Sequence, residues 1–325
     1  MRTVEREVTI QSQTVLKGTL CIPEARIEKS PAVVIISGSG KLDRNGKMNE
    51  KMDLKLYRQL AEFLTSIGFI NLRYDKRGVA ASEGDYLTTG LWDLVDDAQA
   101  AVRFLKNLPE VDPDKVIVLG HSEGSTIGSA LAVREELGGL ILLSGAVERI
   151  SEALKRQREI AREDVLKAKG FQGILLRLLG VHNKIEKQAQ KYIEKVQNST
   201  EDCLKVSFTK INAKWMREHF MYNVREDLAK VTCPVLAITG ARDIQANPDV
   251  IKDLPKYVKG DAEYYVIENM GHSCKLITST STMFTVKKDI IAEGNLPIHP
   301  ELVELLNNWL QTHFVSTPIE ESILG

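Results

Sequence analysis

The stretch Val116-Ile-Val-Leu-Gly-His-Ser-Glu-Gly-Ser125 decides the fold. Its first four residues form a continuous apolar run, the pattern of a short strand covered on both faces. The run enters Gly120-His121-Ser122-Glu123-Gly124, which matches G-x-S-x-G, and a helical pattern follows over residues 125–137. Three fixed positions in five recur by chance, so the setting carries the reading. Strand, tight turn and helix in that order make an elbow in which small flanking residues let the backbone fold around a serine. The hydroxyl then projects from the carboxyl edge of a sheet, where the helix N-terminus favours developing negative charge.

The same rhythm extends outward in both directions. Residues 4–10 and 15–22 read as a hairpin closed by Pro23, and residues 32–36 as a buried strand. A polar, glycine-bearing loop from Ser37 to Gly46 follows. Leu54, Leu60, Ala61, Leu64 and Ile67 then repeat at helical spacing, before a strand over residues 69–72. A second helical stripe carries Leu91, Leu94, Val95, Ala98, Val102 and Leu105, and residues 140–143 form a strand after the elbow helix. Strands alternating with helices of this length imply a mostly parallel sheet with helices on both faces. The alternation resumes at residues 235–239 and 263–267, and Pro300 opens a last helix with Leu302, Leu305, Leu306, Trp309 and Leu310 on its buried stripe.

Between these two blocks the rhythm stops. No clear strand is expected over residues 151–230, and none of the ten prolines falls there. That stretch holds 17 Lys and Arg against 11 Asp and Glu, a balance of +6 that leaves −7 on the rest of the chain. The shift predicts a helical cap over residues 149–230, inserted into an α/β core made of residues 1–148 and 231–325. From its point of entry the cap is expected to lie over the rim where Ser122 projects. Ile174, Leu175, Leu176, Leu178 and Leu179 are expected to wall an acyl pocket there.

Composition excludes several function classes. Over 325 residues the charged share is 27%, and 43 Lys and Arg balance 44 Asp and Glu to a net charge of −1. Nucleic acid and anionic membranes both select a basic excess, so neither is expected as a partner. Charges occupy the first residues where a signal peptide needs an apolar stretch, and no run approaches the ~18 apolar residues of a membrane span. Cys21, Cys203, Cys233 and Cys274 show no C-x-x-C spacing, which leaves zinc and redox motifs unsupported. Reduced cysteines in a cytoplasmic protein are the expectation. Neither metal nor cofactor is expected, and oligomeric state is left open.

A serine nucleophile needs a base, and the base needs an orienting carboxylate. With this elbow the chain order is serine, acid, histidine. His272, in Asn269-Met-Gly-His-Ser273, and Asp243, in Thr239-Gly-Ala-Arg-Asp243, each follow the carboxyl end of a predicted parallel strand. Asp249 and Asp253 are the alternatives for the acid, but a helix expected after Pro248 would carry them away. Of the other histidines, His121 adjoins the nucleophile, His182 and His219 belong to the cap, and His299 and His313 lie at the last helix. An oxyanion requires two preorganised N–H donors. The amide of Glu123 is one candidate. Ser39, in the glycine-rich loop after the strand at 32–36, is the other, with Gly40 as its alternative. That loop matches neither nucleotide-binding glycine motif, so a nucleotide is not expected.

With these residues quoted, the chain resembles the α/β-hydrolase superfamily, and within it serine esterases with a Gly-Ser-Gly oxyanion loop followed by Asp-Arg. The resemblance covers residues 1–148 and 231–314. It rests on Ser37-Gly-Ser-Gly40 with Asp43-Arg44, Tyr74-Asp-Lys-Arg-Gly78 with Ser82, Gly-His-Ser-Glu-Gly, Gly240 with Asp243, and Gly271-His272. It implies an α/β-hydrolase fold with Ser122, Asp243 and His272 as a catalytic triad. Two positions depart from the pattern. Ser37 stands where many relatives carry the His of a His-Gly motif, and Ala80 where Asp-x-Arg-Gly-x-Gly is usual. Asp75 and Arg77 are expected to tie down their loop. The activity implied is cleavage of small, short-chain carboxylic esters through an acyl-enzyme. Thioesterase, acyltransferase or small-peptide hydrolase action on the same triad, or a silent binding protein, are the alternatives.

Overall fold

The computed structural model describes residues 3–24, 29–279 and 281–315. Residues 1–2, 25–28, 280 and 316–325, assigned above to the core, lie outside the described residues. The chain opens with β1 (Thr3–Gln11), β2 (Val15–Pro23) and β3 (Ser30–Ile36), then a small hairpin of β4 (Lys47–Asn49) and β5 (Met52–Asp53). Helix α1 (Leu56–Ser66), β6 (Ile70–Tyr74), α2 (Leu91–Lys106), β7 (Val111–His121), α3 (Glu123–Leu131) and β8 (Gly139–Leu143) follow. After an excursion the core resumes with β11 (Val235–Gly240), α9 (Leu254–Tyr257), β12 (Ala262–Ile267), α10 (Val286–Glu293) and α11 (Pro300–Phe314).

The excursion contains α4 (Ile150–Lys167), α5 (Gly170–Leu178), α6 (Val181–Gln197), the hairpin β9 (Cys203–Val206) and β10 (Thr209–Asn212), α7 (Ala213–Met221) and α8 (Val224–Leu228). The hairpin corrects the expectation of a strand-free segment. Its strands have four residues each, too few to show a period, and Ser207 turns between them at φ 56°.

Eight strands form one sheet in the order β1-β2-β6-β3-β7-β8-β11-β12. β1, β2 and β6 pair antiparallel, and from β6 to β12 every pairing is parallel. Alternate residues of each central strand feed two cores. Ala32, Val34 and Ile36 face one, together with the apolar stripes of α2 and α3. Val33 and Ile35 face the other, together with α1 and α11. Burial on both faces is why these strands read as unbroken apolar runs. The sheet and its two helical layers form the α/β-hydrolase fold.

The elbow helix stops at Leu131, short of the expected residue 137. Glu135 instead accepts from Gln99, Arg103 and Lys106 of α2, which draws the chain out of the helix. The loop of Asp75 and Arg77 is tied as the sequence suggests. Asp75 accepts from the amide and guanidinium of Arg44 at 2.7 and 2.8 Å, and Arg77 makes two 2.6 Å bonds to Asp97.

Candidate active site

Ser122 sits between β7 and α3 with φ 55° and ψ −118°, a conformation that costs an L-residue about 1–3 kcal/mol. Two glycines make the turn sterically accessible. A Cβ on Gly120 would come within 2.1 Å of the Gly124 carbonyl oxygen, and one on Gly124 within 2.2 Å of that of Ile36. Any side chain at either position would push the elbow off the sheet edge.

β11 and β12 end on the same edge, so the loops after them bring Asp243 and His272 to Ser122. His272 Nε2 lies 3.1 Å from Ser122 Oγ, and His272 Nδ1 lies 2.8 Å from Asp243 Oδ2. The other oxygen, Asp243 Oδ1, accepts from the amides of Gln245 and Ala246 at 2.8 and 2.9 Å. One carboxylate oxygen therefore fixes the turn while the other holds the ring. Asp253 pairs with Lys256, and Asp249 is exposed; neither is joined to His272. Two residues past His272 is the buried thiol of Cys274, which burial pushes up to about 12. It stays protonated and is no rival nucleophile.

The loop after β3 passes directly over the elbow: a Cβ on Gly38 would lie 3.2 Å from that of Ser122. Its Gly38 amide donates to the Tyr57 hydroxyl at 2.7 Å, and that hydroxyl meets His121 Nδ1 at 3.1 Å. Lys76 Nζ donates to the Gly38 carbonyl at 2.5 Å and to Glu123 Oε2 at 3.1 Å. The Glu123 carboxylate bonds outside the elbow. Its Oε1 accepts from Trp215 Nε1 and lies 3.2 Å from His219 Nε2, both on α7. Burial works against ionising Glu123, but the Lys76 charge and the contacts from His219 and Trp215 hold it well below the ordinary carboxylate range.

Ser122 stands between two cavities. One, of about 130 Å³, is lined by Ser39, Glu123, Thr126, Ile150, Leu154 and Trp215. The other, of about 240 Å³, is lined by Leu42, Met48, Met52, Leu54, Tyr57 and Ile290. A larger basin of about 600 Å³, between Lys106, Arg134 and Cys233, contains none of the elbow, base or acid residues. The expectation that Ile174, Leu175, Leu176, Leu178 and Leu179 wall the pocket is corrected: none of them lines either cavity. α5 packs on α4 and α6, and Leu178 is 80% exposed. Of residues 149–230, the first turns of α4 and Trp215 line the smaller cavity instead. Sequence periodicity located the apolar face of α5 but not the direction in which it points.

Tyr57, Lys76, His121, Trp215 and His219 are the site residues that the sequence reading passed over. Lys76 carried a signal, as one of three charged residues in Asp75-Lys-Arg-Gly78, but that segment read as loop scaffolding; His121 lies inside the elbow motif and was set aside with the other histidines. Among the described residues no group of three or more His, Cys, Asp or Glu side chains is placed to hold a metal ion. No helix among them is long and apolar enough to cross a membrane.

Known proteins agree with this architecture. Esterase EstD of Thermotoga maritima is 28% identical over 246 residues, 74% of this chain and 52% of its own length. The chain thus spans about half the length of that relative. Among solved structures, ferulic acid-bound Est1E from Butyrivibrio proteoclasticus superposes with a TM-score of 0.57 at 21% identity, over 88% of this chain and 96% of its own. The α/β hydrolase GrgF from Penicillium sp. sh18 superposes with a TM-score of 0.60 at 15% identity, over 97% of this chain and all of its own. The model of the family described as Serine aminopeptidase, S33, matches residues 49–275, and the chain belongs to that family of α/β hydrolases.

Proposed function

We propose that the protein is a carboxylic ester hydrolase that cleaves short-chain esters through an acyl-enzyme on Ser122. The observation that carries this reading is the unbroken array from Ser122 Oγ through the His272 ring to Asp243, at 3.1 and 2.8 Å. His272 takes the Ser122 proton as Oγ attacks the ester carbonyl, and the tetrahedral oxyanion rests on the amides of Ser39 and Glu123. His272 then returns the proton to the departing alcohol. It next deprotonates a water that releases the acid, while Asp243 holds the imidazole throughout. The residues at 149–230 act as a cap that encloses the site, which suits a small molecule. The likeness to Esterase EstD supports ester chemistry. Four free cysteines support a cytoplasmic setting.

The test is turnover of p-nitrophenyl acetate and butyrate beside the matching thioesters and aminoacyl amides, with a fluorophosphonate probe on the same preparation. Ester turnover, with labelling that disappears in Ser122→Ala, is the expected result. Absence of both in the wild-type protein would leave a binding protein as the better reading.

A further inference from the structure

Lys76 and Glu123 form a fully buried ion pair that the hydrolytic cycle does not consume. Their side chains are 3% and 2% exposed. Each also touches one of the two peptide groups assigned above to the oxyanion. Lys76 Nζ grips the Gly38 carbonyl at 2.5 Å, and the N–H of that same peptide belongs to Ser39. The described residues contain no cis peptide, so the carbonyl and the N–H of this planar unit point in opposite directions. Fixing the Gly38 oxygen on Lys76 therefore aims the Ser39 N–H away from Lys76. The second donor is the amide of Glu123, whose own carboxylate takes the same ammonium at 3.1 Å. A single buried cation thus sets the spacing between the two strands of backbone that supply the donors.

The pair also reaches the cap. Glu123 Oε1 accepts from Trp215 Nε1 and faces His219 Nε2 at 3.2 Å, and His219 Nδ1 is bonded to the Trp215 carbonyl at 2.8 Å. α7 is held on the core by Asn212, which donates to the carbonyls of Tyr86 and Thr89 at 2.7 Å each, and by the Lys214–Asp93 pair at 2.7 Å. Seating α7 therefore delivers two groups to the carboxylate that belongs to the oxyanion amide's own residue.

The geometry points to Lys76 and Glu123 as positioning residues for the oxyanion hole, with Trp215 coupling their arrangement to the seating of the cap. This inference rests on the hydrolase reading, and the experiment separates the two. Wild-type turnover of p-nitrophenyl acetate that vanishes in Ser122→Ala establishes the reading; wild-type protein without turnover sinks the reading itself. Against that background, Lys76→Met/Glu123→Gln removes both charges at once, and Trp215→Phe keeps the ring at the cavity but removes its N–H. Both are compared with Leu178→Ser, a change at an exposed position of α5.

For the double variant kcat is expected to fall about 10²-fold with KM little changed, the scale of losing one oxyanion donor. For Trp215→Phe the fall is about tenfold with the same signature, consistent with a donor displaced but still present. Affinity for a trifluoromethyl ketone transition-state analogue should fall in parallel with kcat/KM, which a merely structural role would not produce. Leu178→Ser should match the wild type. Wild-type kcat in either folded variant, or a loss of kcat with undiminished ketone affinity, overturns the inference. If the double variant does not fold, Trp215→Phe decides on the same readouts.

Discussion

His121 Nε2 donates to the carbonyl oxygen of His272 at 2.8 Å, so the residue before Ser122 holds the backbone of His272. With the proton on Nε2, His121 Nδ1 is left to accept from the Tyr57 hydroxyl, which in turn accepts from the Gly38 amide. One neutral ring thereby links the loop after β3, the elbow and the loop that carries His272. Each of these loops follows a different strand of the sheet, and nothing in the spacing of the three segments announces their junction.

This ring makes stability depend on pH. Burial, and then the charge of His272, hold His121 down to about 4 from the ordinary 6.5. Below pH 6.5 the unfolded imidazole binds a proton that the buried one refuses, so the unfolded state carries more protons and stability rises with pH between about 4 and 6.5. A shift of this size corresponds to roughly 3 kcal/mol at the acid end of the window. Urea unfolding of wild type and His121→Gln at pH 7 and pH 4.5 should show the larger acid loss in the wild type. Equal losses would place the acid sensitivity elsewhere.

Asp243→Asn is expected to keep the fold and lower kcat about 10⁴-fold, because an amide in place of Oδ2 favours the wrong tautomer of His272. Ser122→Ala should be at least as severe, since the three residues act as a unit. Steady-state kinetics on p-nitrophenyl acetate, with circular dichroism to verify folding, measures both. Near-wild-type turnover by Asp243→Asn would remove it as the orienting acid.

Much of this site is legible in the chain because each member has a local signature. Ser122 is flanked by the glycines its turn demands, Asp243 follows the buried apolar run of β11, and His272 follows β12, an edge strand on which Tyr264, Tyr265 and Val266 are exposed. What is hidden is hidden for a physical reason. The Lys76–Glu123 pair joins residues 47 positions apart, and His219 reaches it from a helix whose orientation is set by tertiary contacts alone. α5 shows the same limit: the apolar periodicity of Phe171, Ile174, Leu175 and Leu178 is real, but the face points away from the site. Periodicity identifies a stripe, and packing decides what the stripe meets.

Ala80 occupies a left-handed conformation with φ 48°, where the superfamily pattern has glycine. That conformation costs an L-residue about 1–2 kcal/mol, and glycine gives back about 0.5–1 kcal/mol through the freedom of the unfolded chain. Ala80→Gly should therefore raise stability slightly or leave it level, against the usual trend for Ala→Gly. Gly78, at φ 68°, is the contrast: a Cβ there would lie 2.2 Å from the Tyr86 nitrogen. Gly78→Ala should cost about 3 kcal/mol or more. Thermal melts of the two variants check the pair, and a marked drop in Tm for Ala80→Gly would refute the backbone argument.

Substrate size is expected to be set where α4 enters the cavity beside Ser122. Ile150 and Leu154 are one helical turn apart and share the cavity of about 130 Å³ beside Ser122. That volume admits a short acyl chain, whereas the cavity of about 240 Å³ on the other side of the nucleophile can receive the alcohol portion. Leu154→Trp fills the smaller cavity and should lower kcat/KM for p-nitrophenyl butyrate about tenfold relative to acetate, the discrimination that one or two methylenes bring in an apolar pocket. Phe171→Ser, at a position 78% exposed on α5, should leave the butyrate-to-acetate ratio untouched. The comparison needs both variants, because an effect at Phe171 would restore α5 as the pocket wall. An unchanged ratio in folded Leu154→Trp would move the acyl chain to the Met48, Met52 and Leu54 side of the nucleophile.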